Sequence, residues 1–234
     1  MTGFATLGGP HLLMLAGCLA AGAVLLCAAK KDVRVIRAAA VVLIALEVLQ
    51  DVYLLSQGET VLYHLPLHLC GLGIFTNLIG AFSDGKFAVY LREVSLMLIA
   101  PGAVFALLFP DWTYMTLLSM MSLIGFAGHT LLLLIPLMML HASMVHPEGR
   151  HFWYSLVFLA VVSLPVFAFD RAFGCNYMFL RQPVEGTPLA WWAERLGDPG
   201  YLLGILLMIL VLLALEYGLA MHLGRAGGMH RKDV

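Results

Sequence analysis

Charge is scarce in this chain. Only 12% of its 234 residues are Asp, Glu, Lys or Arg, and 13 basic against 14 acidic side chains leave a formal net charge of −1. So few charges, scattered between long apolar runs, form no basic face for a nucleic acid. Cysteine is sparse as well. Four copies exclude a disulfide-rich secreted scaffold. Neither GxGxxG nor GxxxxGK[ST] occurs, no haem or flavin motif is present, and no cofactor is expected. No Lys or Arg precedes the first apolar run, so a cleaved signal peptide is not expected. What is abundant is hydrocarbon: 62% of residues are apolar and the mean hydropathy is +0.93. That composition excludes disorder and a collagen-like chain and indicates a polytopic membrane protein.

A bilayer core about 30 Å thick takes roughly 20 apolar residues per helix. Breaks in hydropathy predict an all-α chain of seven transmembrane helices in a single transmembrane domain, 1–234. The expected spans are Pro10 to Ala29, Ala38 to Leu55, Leu65 to Phe82, Phe87 to Leu108, Tyr114 to Leu140, Phe152 to Phe169 and Tyr201 to His222. Pro66 suits the first turn of the third span, whereas Pro101, Pro136 and Pro165 fall inside spans and are expected to kink them. No internal repeat is visible, and an odd number of spans argues against a simple inverted duplication.

Orientation follows from the basic residues. Lys30, Lys31, Arg34 and Arg37 mark the first connection as cytoplasmic, and alternation then places Lys86, Arg92, Arg150, Arg225, Arg231 and Lys232 on the same side. Arg171, Arg181 and Arg195 remain outside, so the N-terminus is expected outside and the C-terminus inside. The segment 170–200 is the longest loop. Carrying Gly174, Pro183, Gly186, Pro188, Gly197, Pro199 and the pair Trp191 and Trp192, it reads as an ordered outer cap.

An ionisable group within a span is a functional candidate because its insertion is costly. Glu47, Gln50 and Asp51 share one face of the second span at i, i+3, i+4 spacing. Arg92 can snorkel and reads as structural. The densest polar stretch is Tyr63-His64-Leu65-Pro66-Leu67-His68-Leu69-Cys70-Gly71. Cys70, Gly73 and Asn77 share one helix face, and His68 points about 200° away from Cys70 in a straight helix. A thiol is a nucleophile when a base, a cation or a helix N-terminus favours its thiolate; it is equally a small core residue. His64 and His68 at i, i+4 could ligate a metal with Asp51 and Glu47. His141, His146 and His151 match no single face. Cys18 and Cys27 read as packing residues, and Cys70 could pair with Cys175.

Counting about 1.5 Å per residue from the outer span ends puts Asp51, His68 and Cys70 in the outer third. Asn77, His129 and Glu216 then lie roughly 18 to 23 Å down. Two polar layers are therefore expected, with Glu216 orienting His129, and Gly125 and Gly128 allowing a close approach beside it.

Taken together, His64-Leu-Pro-Leu-His68-Leu-Cys70, Gly128-His129, and Asn176-Tyr177-Met178-Phe179-Leu180 followed by Pro183 and Thr187-Pro188 resemble the bacterial YwaF-like integral membrane family over nearly the whole chain. That family is similar to eukaryotic transmembrane protein 164, an acyltransferase that moves fatty acyl chains between phospholipids. It is more distantly similar to androgen-induced membrane hydrolases that cleave fatty-acid esters. The resemblance implies a bacterial cytoplasmic-membrane enzyme with membrane lipids as substrates, Cys70 as acyl-accepting nucleophile and His129 as general base. His68 is the substitute base, Asn77, Asn176 or Tyr177 are candidate oxyanion donors, and no metal is implied. Oligomeric state is not legible.

Two other readings compete with this one. A proton-coupled transporter or binding protein would use Glu47, Asp51, His68 and His129 as a polar path. A metal-dependent intramembrane hydrolase would need a ligand set, and the seventh span carries His222 without a partner at His-xxx-His spacing.

Overall fold

The computed structural model describes residues 3–30, 32–185 and 187–229, with side chains through residue 222. Lys31, Gly186, Arg231 and Lys232, named above, lie outside the described residues, as does the side chain of Arg225. Among the described residues every regular element is helical. Six helices are long and apolar enough to cross a membrane, which makes the chain an integral membrane protein. In hydrocarbon only a helix or a closed barrel satisfies its own backbone. The chain divides into two compact units, Met1–Val145 and His146–Val234.

The first unit contains α1 (Gly9–Ala29), α2 (Arg34–Ser56), α3 (Leu69–Phe82), α4 (Lys86–Val94), α5 (Ala100–Leu108) and α6 (Met120–His141). A π-helical turn, Ser95–Ile99, joins α4 to α5 into one membrane-length segment, with the Ala100 N–H donating to the Ser95 carbonyl. The widened turn comes just before Pro101, whose ring and missing N–H disturb a regular α ladder. Helix α6 sits at the centre and touches α1, α2, α3 and α5. Ile135, Met138 and Met139 of α6 are fully buried together with Ile36 of α2 and Ile99 of the π turn.

In this unit three boundaries differ from expectation by more than one residue. Helix α2 begins at Arg34 rather than Ala38, where the Asp32 carboxylate accepts the Arg34 N–H at 2.8 Å. Helix α6 begins at Met120 rather than Tyr114, because the Ser119 hydroxyl caps it by accepting the Ser122 N–H. The third expected span is a helix of only 14 residues, about 21 Å long and too short to cross a bilayer core by itself. Pro66 does not occupy its first turn. Residues 65–68 instead fold back, so a Cβ on Gly71 would lie 2.7 Å from the Pro66 Cα, and only glycine admits that approach.

The far end of α3 is tied by two arginines. Arg92, nearly buried, donates from Nε to the Gly80 carbonyl at 2.8 Å and from Nη2 to the Ser83 carbonyl at 2.6 Å. Its Nη1 reaches the Met144 carbonyl at 3.2 Å, and Arg37 Nε reaches the Ala81 carbonyl at 3.2 Å. These guanidinium groups satisfy carbonyls that a helix C-terminus leaves unpaired and complement its dipole.

The second unit contains α7 (Phe152–Phe173), α8 (Pro188–Leu196) and α9 (Tyr201–Met229). Helix α7 runs four residues past its expected end because Gly174, at φ 75°, supplies the left-handed residue that stops it. The expected cap does contain order of its own. Thr187 caps α8 by accepting the Leu189 N–H, and Trp192 of α8 packs its indole against Gly204 of α9.

Candidate functional site

The register of α3 against α6 positions the site. A Cβ on Gly73 would meet Leu132 Cδ2 at 3.0 Å, and a Cβ on Gly80 would meet Met139 Cε at 3.2 Å. Residue numbers differ by 59 in both pairs, so the two helices run parallel. Gly73 and Gly80 also meet Ile99 and Arg92, two pairs whose numbers add to the same value, so the α4–α5 segment runs antiparallel to α3. Cys70 belongs to the stripe 70, 73, 77, 80 of α3, and His129 belongs to the stripe 129, 132, 136, 139 of α6. The same offset relates them. Cys70 and His129 therefore stand level on facing stripes of packed helices, whose axes lie about 8 to 10 Å apart.

This removes the expected separation in depth between Cys70 and His129. Depth counted along each helix is comparable only where spans start at one plane, and α3 starts inside the bundle. By the register, Leu69 is level with Gly128, and α6 extends eight residues, about 12 Å, beyond that point.

Cys70 is half-buried in the first turn of α3, where backbone N–H groups have no acceptor within the helix. His129 is half-buried, and its Nδ1 lies 2.8 Å from the Gly125 carbonyl. A carbonyl only accepts, so Nδ1 carries the proton and the neutral ring presents its lone pair at Nε2. The Trp112 indole stacks on His129, with ring centroids 5.2 Å apart and planes 26° apart. Asp111 is exposed beside it and acts through space on both Cys70 and His129. Partial burial, then the same carboxylate and Glu59, push the Tyr114 hydroxyl above its ordinary pKa. Among the described residues no three His, Cys, Asp or Glu side chains converge as a metal site.

The other candidates separate into distinct places. Glu47 and Asp51, both half-buried on α2, interact with each other through space; Glu47 also reaches Cys70, and Asp51 reaches His64. His68 is the N-cap residue of α3, and its side chain does not cap the helix. Asn77 is completely buried, and neither amide atom is hydrogen-bonded among the described residues. It lies about 10 Å along α3 from Cys70, opposite Pro136 by the register. Asn176, Tyr177 and Glu216 belong to the second unit. The Asn176 amide is committed to its own loop: Oδ1 accepts the Arg181 and Gln182 N–H groups, each at 3.0 Å, and Nδ2 donates to the Gln182 carbonyl at 3.0 Å. Tyr177 is buried near Phe169, and Glu216 Oε2 is buried without a hydrogen bond among the described residues. All four cysteines are free, so the Cys70–Cys175 disulfide is not formed; Cys175 turns inward under its own loop, with Sγ 4.0 Å from the Phe173 carbonyl.

A family model, that of the TMEM164 family, matches residues 6–217. The chain belongs to the TMEM164 family. No curated protein and no solved structure matches it. Membership in the TMEM164 family fits a membrane lipid-related enzyme, and the match spans all of α1 to α8 and most of α9.

Residue patterns alone pass over Trp112, the indole laid on His129, because it follows Phe109-Pro110-Asp111 in a break between apolar runs. They also pass over buried His11, whose Nδ1 accepts the Leu7 N–H and whose Nε2 donates to the Leu107 carbonyl, each at 2.9 Å. The available signal was Gly125, four residues before His129, where a missing side chain implies a close neighbour.

Proposed function

We propose that the chain is an intramembrane lipid acyltransferase or fatty-acyl ester hydrolase, with Cys70 as nucleophile and His129 as base. The observation that carries this reading is the level placement of Cys70 and His129 on parallel α3 and α6. In the first step His129 Nε2 takes the Cys70 thiol proton and the sulfur attacks the ester carbonyl. The carbon–oxygen bond then breaks, the proton passes to the departing alkoxide, and the acyl group remains as a thioester. In the second step an acceptor alcohol, or water, gives its proton to His129 and attacks the thioester. The carbon–sulfur bond breaks and the thiol regains the proton. The N-terminus of α3 favours negative charge where the thiolate and oxyanion form.

Membrane lipids suit this site because their ester bonds lie just below the headgroups. The reading keeps the expected topology, with α3 and the irregular segment 61–68 before it together completing a seventh crossing, the N-terminus outside, and a bacterial cytoplasmic membrane as the setting. Purified protein incubated with phosphatidylcholine micelles and analysed by intact mass should carry one acyl group that hydroxylamine removes. Cys70→Ala should carry none. Equal acylation or lipid turnover in the two proteins would refute the assignment.

A further inference from the structure

We infer that the Trp112 indole N–H is an oxyanion donor for the acyl ester attacked by Cys70. The inference rests on the Cys70–His129 reading and adds a catalytic group that no residue pattern picked out.

Trp112 lies between α5 and α6 and lays its ring on α6. Besides stacking on His129, it meets Phe126 edge-on, with centroids 5.6 Å apart and planes at 83°. Gly125 makes the seat. A Cβ there would come within 3.1 Å of Trp112 Cε2 and 3.2 Å of Cζ2. Cε2 is the ring atom bonded to Nε1, so the N–H sits beside the contact with Gly125, one turn from His129.

That N–H is buried and has no partner among the described residues. An indole nitrogen can only donate, and a buried tryptophan usually satisfies its N–H. The nearby Gly125 carbonyl already accepts from His129 Nδ1. A donor held away from water, with its neighbouring acceptor taken, is complementary to an oxygen brought by a ligand.

Position identifies which oxygen. The Trp112 ring covers the base, and its neighbour Asp111 acts through space on both the base and the nucleophile. By the register, Gly125, which seats the indole, lies one turn of α6 from the level that Cys70 and His129 share. When Cys70 sulfur bonds to the acyl carbon, the carbonyl oxygen gains the negative charge. The first turn of α3 supplies donors from the nucleophile's own helix, and Trp112 supplies one from the opposite wall. Phenylalanine keeps an aromatic ring for the imidazole and removes the N–H. What tryptophan adds is the N–H.

The test is Trp112→Phe in the full chain, assayed in detergent micelles with 4-methylumbelliferyl decanoate and with a decyl trifluoromethyl ketone. The ketone's adduct with a thiol carries the same developing oxyanion. Loss of one such donor lowers kcat by about 100-fold, and here KM should stay within about threefold because the donor acts on charge absent from the ground state. Ketone affinity should fall by a similar factor, with the thermal melt little changed. Trp112→His, which keeps an N–H on a smaller ring, should recover part of the loss. A Trp112→Phe enzyme with unchanged kcat, or one impaired only in KM with unchanged ketone affinity, overturns the inference. Cys70→Ala, run in parallel, separates the two claims. Wild-type turnover in Cys70→Ala sinks the nucleophile assignment and this inference with it. An inactive Cys70→Ala beside a fully active Trp112→Phe sinks this inference alone.

Discussion

His129 Nδ1 lies 2.8 Å from the carbonyl oxygen of Gly125, one turn back along α6. This bond fixes both the tautomer and the direction of the ring, since Nε2 is left as the acceptor. His129→Asn can imitate the Nδ1–H donor but has no basic nitrogen. It should fold with the wild-type melt and lose about 100- to 10,000-fold in turnover. His129→Gln should be no better. A rate within tenfold of wild type in either variant would show that the proton goes elsewhere, with His68 the next residue to replace.

The six long helices were legible because 18 or more apolar residues in succession have few alternatives in a folded chain. Their boundaries were less so, since Ser119 caps α6 with a hydroxyl that hydropathy averages away. The level placement of Cys70 and His129 was hidden for a different reason. Depth counted from a common plane needs every helix to begin at that plane, and the fold of residues 65–68 onto Gly71 starts α3 deep in the bundle. Register is a tertiary property, carried here by Gly73 against Leu132 and Gly80 against Met139. Trp112 and the Asn176 brace act from irregular segments, where sequence periodicity has nothing to report.

Arg92 holds three backbone carbonyls, at Gly80, Ser83 and Met144, from a site with 6% exposure. Arg92→Met fills similar space and leaves those acceptors unpaired, a loss of roughly 3 kcal/mol. The melting temperature should fall by roughly 6 to 12 °C for a chain of this size. The contact from Arg92 Nη2 to Asp84 is different, because the Asp84 side chain is 95% exposed. Asp84→Asn should therefore shift the melt by less than about 2 °C. Equal losses in the two variants would mean that the ion pair, rather than the carbonyl clamp, anchors α3.

Cys175 gives a pH test outside the spans. Burial, then the Asp170 carboxylate, push its thiol above the usual cysteine pKa, and Arg181 only partly opposes them. The folded state thus prefers the neutral thiol. This preference stabilises the fold below the ordinary thiol pKa and is lost as pH rises through the raised one. Iodoacetamide should modify Cys175 in Cys70→Ala protein far more slowly than a free thiol at pH 8. Its rate should climb only at a pH above that at which an unfolded control has levelled off. Arg181→Gln removes the opposing charge and should push the profile to still higher pH. A profile matching the unfolded control would contradict the buried placement.

Met178 and Phe179 adopt φ of 52° and 56°, a left-handed conformation that two successive non-glycine residues hold only when their surroundings impose it. Asn176 is the main imposing group, through the Arg181 and Gln182 N–H groups and the Gln182 carbonyl, while the Tyr201 hydroxyl donates to the Phe179 carbonyl at 2.8 Å. Asn176→Ala removes all three amide bonds. Opening of the loop should become easier by roughly 1 to 2 kcal/mol, and tryptic cleavage after Arg181 should accelerate roughly 5- to 30-fold. Asn176→Asp keeps the acceptor for both N–H groups and loses only the donor, so its cleavage rate should fall between the two. Turnover discriminates a brace from a catalytic donor. If Asn176 only holds the loop, ester hydrolysis across the three proteins should follow the cleavage series. If its amide stabilised the reaction's oxyanion, Asn176→Asp, which puts a carboxylate in place of that donor, would be the slowest enzyme despite its better-held loop.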